Sequence, residues 1–111
     1  MPTEIVLLSE VEPTSALMVQ AAAVDHPDGT FLEYRDGQIR QFVDARGRAL
    51  LSVYRSRPVR EAREAVDAVH QIPTAFGLWT DMAVPYGDSG AGRALAESIA
   101  TAVGGVIADR V

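Results

Sequence analysis

The sequence predicts an α/β (α+β) domain over residues 1–111: a single mixed β-sheet in the order β-α-β-β-β-α-β-α-β, with helices packed on it. Three observations carry that expectation. Glu4 to Ser9 is a short, β-branched, almost wholly apolar run, the pattern of a strand buried on both faces. Residues 30–54 hold three strand-like runs separated by turn formers, the pattern of an antiparallel meander. The remaining strands are joined by long helical segments, and such connections suggest parallel crossovers, so the sheet is expected to be mixed.

The elements follow in order. After the first strand, Glu12-Pro13 opens a helix, since proline is tolerated in a first turn. Leu17, Ala21 and Val24 give it an apolar stripe, and Asp25-His26-Pro27-Asp28-Gly29 ends it. Thr30 to Arg35 and Gln38 to Asp44 are strands joined by Asp36-Gly37, a dipeptide tolerant of positive φ and typical of tight hairpins. Phe42-Val43 interrupts the alternation of the second strand. Ala45 to Arg48 is a turn and Ala49 to Tyr54 the third strand. Ser56 and Pro58 mark a second helix start, with Val59, Ala62, Val66 and Val69 as its stripe and Ile72-Pro73 as its end. Leu78 to Val84 is a fifth strand, and Pro85 to Gly90 a turn. A third helix spans Ala91 to Val103, with Leu95, Ile99, Ala102 and Val103 inward and Gly104-Gly105 as its C-cap. Val106 to Arg110 is a last short strand.

Composition bounds the chemistry. With 48% hydrophobic and 23% charged residues the chain is globular in type rather than a disordered tail. The absence of cysteine excludes disulfides, thiolate zinc sites, iron–sulfur clusters and thiol catalysis. Met1-Pro2-Thr3-Glu4 lacks the positive segment of a signal peptide, and Ala16 to Val24 is too short to span a bilayer. A cytoplasmic location without membrane attachment is therefore expected. The net charge of −5 argues against nucleic-acid binding, which rests on phosphate neutralisation. Within that balance, residues 45–63 carry arginines 46, 48, 55, 57, 60 and 63 against Glu61 alone, read as solvated strand ends and a helix face.

No catalytic constellation assembles, so the sequence leans against an enzyme without deciding the point. His26 and His70 are the only histidines and sit at the ends of different elements, which is not a metal-ligand spacing, so neither a metal nor a cofactor is expected. Asp25 and Asp28, flanking His26, read as turn formers. Gly87-Asp88-Ser89-Gly90 matches the nucleophile loop of trypsin-like proteases, but the long all-β chain and the His and Asp that fold requires are missing.

Two features point toward binding. Tyr86 to Leu95 is a glycine-rich loop entering a helix, where backbone amides can receive an anion. Met82-Ala83-Val84-Pro85 followed by Gly90-Ala91-Gly92-Arg93 resembles the coenzyme A loop of acetyl-CoA-dependent N-acetyltransferases, which implies Gly90, Gly92 and Arg93 as ligand-binding residues of a small transferase-like domain. Gly87 stands where that family has Gln or Arg, and a helix intervenes between the meander and the loop. The bland reading is a turn with Asp88 or Ser89 capping the third helix. The other feature is Trp79, either core or a partner-binding anchor, with Asp81, Tyr86 and Asp88 positioned by sequence to edge the same surface.

The Trp79-Thr80-Asp81 strand and the Ala-rich last helix ending Gly104-Gly105-Val106, in a short, acidic, cysteine-free chain, resemble small actinobacterial immunity-type proteins. That resemblance implies a cytoplasmic protein that neutralises a cognate toxin by direct binding, its acidic surface meeting a basic toxin cleft.

Overall fold

The computed structural model describes residues 3–59, 77–85 and 90–109. In chain order the elements are β1 (Thr3–Ser9), α1 (Ser15–Asp25), β2 (Thr30–Tyr34), β3 (Ile39–Val43), β4 (Ala49–Tyr54), β5 (Arg57–Pro58), β6 (Leu78–Val84), α2 (Ala91–Val103) and β7 (Val106–Asp109). The strands form one sheet in the order β2-β3-β4-β6-β1-β7, with β5 also pairing β6. The fold is thus α+β, a single sheet with α1 and α2 packed on it.

Every ladder among the described residues is antiparallel, where some parallel neighbours were expected. The crossover argument fixes direction but not adjacency. Followed across the sheet, β1 and β2 point the same way, as do β6 and β7. Three strands separate the first pair, however, and β1 itself lies between the second. Each helix joins codirectional strands that are not neighbours, so every strand in the sheet lies beside a reversed one.

β1 carries the core. Ile5 and Leu7 face the helices and pack with Met18, Leu51, Val53, Met82 and Ile99. Val6 and Leu8 point to the opposite face and are buried with Trp79 and Ala108. All four β1 side chains are essentially without solvent contact, each contributing roughly 1.5–3 kcal/mol of apolar burial.

The helices sit close to this strand. Thr14, rather than the expected Glu12-Pro13, begins α1: its hydroxyl accepts the Leu17 N–H at 3.2 Å. The buried face of α1 is Met18 and Ala22, with Leu17 and Ala21 at its margin and Val24 80% exposed. The expected Leu17-Ala21-Val24 stripe is rotated because apolar residues lie all round this helix, so periodicity could not select a face. α2 matches its expected bounds and ends on Gly104 in the left-handed conformation. Its buried face is Leu95, Ala96, Ile99, Ala100 and Val103, and Ala102 is exposed instead of inward.

Two glycines set how closely α2 and its connection approach the sheet. A Cβ on Gly92 would fall on the carbonyl oxygen of Leu50, so the first turn of α2 lies flush on β4. Leu50 is presented there by a bulge: Phe42 pairs Leu51 but Val43 pairs Ala49, so Leu50 and Leu51 are both buried. A Cβ on Gly105 would lie 2.7 Å from the Leu8 carbonyl oxygen and 2.9 Å from Ser9 Cβ, against the end of β1.

Three further details depart from expectation. The β2–β3 connection spans residues 35–38, with Arg35, Asp36 and Gly37 all at positive φ, rather than a two-residue turn. Ser56 and Pro58 do not start a helix: Arg57–Pro58 is a short strand on β6, and the Val59 N–H donates to the Gly77 carbonyl at 2.9 Å. A residue before proline is biased to extended backbone, which favours the strand. The rest of the helix expected from Val59 lies outside the described residues. Finally, Arg40 is buried on the helix-facing side of β3, where its Nη1 donates to the Pro13 carbonyl at 3.1 Å while its Nε has no partner. Among the described residues no helix is long and apolar enough to cross a membrane.

Replacing Gly92 by alanine forces α2 off the Leu50 carbonyl; overpacking of this kind costs about 2 kcal/mol. The expected result is a lower urea midpoint with an unchanged slope. A variant as stable as the parent would show that α2 can lift at no cost.

Candidate functional site

The sheet face away from the helices is divided in two. Around β1, β6 and β7 it is buried, through Val6, Leu8, Trp79 and Ala108, with Val59 packed against them. Over β2, β3 and β4 it is open. Strand register places Tyr34, Ile39 and Tyr54 in one row across three strands, and Leu32 lies one step along β2 on the same face. Tyr34 is 46%, Tyr54 40% and Leu32 36% exposed, so large side chains are shown to solvent on β2 and β4, the two strands that flank β3.

Trp79 and Asp81 lie at the boundary between the halves. Trp79 is 2% exposed and belongs to the buried half. Its indole N–H donates to the Asp81 carboxylate at 2.9 Å, and the Arg57 guanidinium lies 4.9 Å from the ring centroid. These contacts satisfy the one polar atom of the indole and cover the ring with a cation, as a buried tryptophan requires. Asp81 is half-buried and shares the sheet face of the tyrosine row. Tyr86 and Asp88, expected to edge the same surface, lie outside the described residues.

The glycine-rich stretch has packing roles in this structure. Gly90 is the N-cap of α2, with φ 98°; Asp88 and Ser89, expected to cap this helix, lie outside the described residues. Gly92 is buried against Leu50. Arg93 donates to the Asp109 carboxylate at 2.8 Å and lies 3.9 Å from Glu97, an arrangement that holds its guanidinium above its ordinary pKa, chiefly through the Asp109 hydrogen bond. To receive a phosphate, Arg93 would have to leave two carboxylates.

Sequence reasoning missed two adjoining concavities at the far end of α1. The inner one, about 90 Å³, lies between α1 and the β2–β3 pair, floored by Phe31 and Phe42, whose rings are 5.0 Å apart. The outer one, about 220 Å³, is bounded by Asp25, Asp28, Asp44, Arg46 and Arg48. His26, Pro27 and Gly29 line both. The signal available in sequence was only a charged turn at residues 25–29 and another at 44–48; that they meet is a product of the fold. Among the described residues no cluster of three or more His, Asp or Glu could hold a metal ion.

Asp44 organises the β3–β4 turn that forms one wall. Its carboxylate accepts the N–H groups of Arg46 and Arg48, both at 2.9 Å, and lies 3.5 Å from the Arg48 guanidinium. These contacts, the Arg48 backbone N–H foremost, hold the carboxyl below its ordinary pKa. A carboxylate held down in the folded chain adds stability above its unfolded pKa, and loses that contribution as pH falls through its folded value. Asp44→Asn is therefore expected to lower stability at neutral pH, with the two stability curves converging below about pH 4. Parallel curves across the acid range would contradict the assignment.

Compared with protein-family models, with curated proteins and with solved structures, the chain gives no match.

Proposed function

We propose that the chain is a non-catalytic cytoplasmic binding protein whose partner is a protein with a basic surface, in the manner of an immunity protein that covers the cleft of a toxin. The observation that carries this reading is the open half of the sheet, where Leu32 and Tyr34 on β2 and Tyr54 on β4 stand exposed on either side of Ile39 on β3. Contiguous exposed apolar surface on a small domain marks an interaction site, and tyrosine is over-represented among residues that dominate binding energy. The chain's net charge of −5 supplies complementarity to a basic cleft and disfavours a polyanionic partner such as nucleic acid. Glu4, exposed on β1, and Asp81 lie on the same face as the tyrosine row.

In this arrangement Trp79 acts from beneath. It fixes Asp81 at the edge of the apolar row, and Asp81 meets the partner. The tyrosine rings supply desolvated contact area, and the carboxylates steer approach.

Co-expression with toxins encoded beside the gene, followed by affinity capture and a growth assay, tests the proposal. A cognate toxin should be retained and its toxicity relieved. The double variant Tyr34→Ser, Tyr54→Ser should weaken binding at least about 30-fold, corresponding to loss of one hot spot or more. Val24→Ser, at an exposed position on α1, should leave affinity unchanged. Failure to retain any partner or relieve any toxicity would remove the proposal.

A further inference from the structure

The two adjoining concavities at the end of α1 give one candidate site with two environments. The inner part is walled by Ala22, Phe31, Phe42 and Val43, with His26 and Thr30 as its polar members. A site of about 90 Å³ is smaller than the roughly 150 Å³ cavity that admits benzene, and holds a branched group of three or four carbons. The outer part presents charges of both signs. Asp44 and Arg48 are already engaged with each other. Asp25, Asp28 and Arg46 have no side-chain partner among the described residues, so two carboxylates and one guanidinium remain at the mouth.

We propose that this cavity binds a small apolar α-amino acid as its zwitterion, of the valine or leucine class. The side chain enters the inner part against Phe31 and Phe42. The ammonium group meets Asp25 and Asp28, and the carboxylate meets Arg46. An alkylamine leaves Arg46 unused, a fatty acid faces two carboxylates, and a sugar cannot fill the apolar part. His26, lining both parts, stands beside the α-carbon and separates the charged head from the apolar tail. This site lies on the helix side of the sheet, so it is independent of the partner surface proposed above and stands whether or not a protein partner is found.

The test is a ¹H–¹⁵N NMR titration of the full chain at pH 7 with leucine, alanine, isopentylamine, 4-methylpentanoate and leucinamide. Leucine should give saturable shifts at Ala22, His26, Phe42 and Arg46, with a dissociation constant of about 1 mM for a ligand of this size. Isopentylamine, 4-methylpentanoate and leucinamide, each lacking one charge, should bind about two- to fivefold more weakly, as expected for losing one solvent-exposed ion pair. Alanine, which cannot fill the inner part, should not saturate. Asp28→Asn and Arg46→Gln change exposed turn residues and should weaken leucine without unfolding the chain. Ala23→Leu, at an exposed helix position on the cavity wall, should block it. Absence of saturable shifts with leucine at 20-fold the expected constant would overturn the proposal, as would equal binding of leucine and leucinamide, which would leave Arg46 without a role.

Discussion

β1 has hydrogen-bonded neighbours on both edges and apolar side chains buried on both faces, and the placement of everything else follows from it. A strand covered on all four sides needs two flanking strands, a layer of helix above and a further layer below. β6 and β7 supply the edges, α1 and α2 the upper layer. Because β1 occupies the slot between β6 and β7, α2 must cross over it, and the contact of Gly105 with Leu8 and Ser9 marks the point where the chain comes down again. The sheet outside this centre is less demanding. β2, β3 and β4 are packed by the helices on one face, and Leu32, Tyr34 and Tyr54 stand exposed on the other.

Much of this architecture was legible because it is written in local chemistry. Strands β1, β2, β3, β4 and β6 and helix α2 stand close to where periodicity and turn residues put them. What eluded the sequence was long-range. The direction of each crossover was readable, but not which strand would be inserted between the two it joined. α1 was misoriented because an Ala-rich helix that is apolar all round carries no signal for its buried face. Pro58 reads equally as a helix start or as the end of a short strand, and pairing with β6 decided for the strand.

The sites show the same division. Trp79 and Asp81 were readable as a pair on one strand, since residues two apart share a face. Whether the tryptophan would be anchor or core depended on what covered that half of the sheet. The glycines of the α2 entry read as a ligand cradle because glycine allows close backbone approach; here the backbone that approaches Gly92 is that of Leu50. The tyrosine row and the cavity under α1 were invisible for the opposite reason. Each joins residues from strands or turns whose meeting is decided by register and by packing, not by any motif.

β1 has one further consequence, for folding. Ile5 and Leu7 differ little in polarity from Val6 and Leu8, so a slip of one residue against β6 and β7 exchanges one apolar pair for the other and buries little that water would reclaim. Hydrophobic patterning therefore does not choose the register of the central strand. Shape does: the bare Cα of Gly105 receives the Leu7–Ser9 segment, and Trp79 stands opposite Leu8. A chain assembled one residue out would keep its strand content and an apolar centre while losing those two fits, a trap that far-ultraviolet dichroism would not distinguish from the native sheet and that the indole fluorescence of Trp79 would.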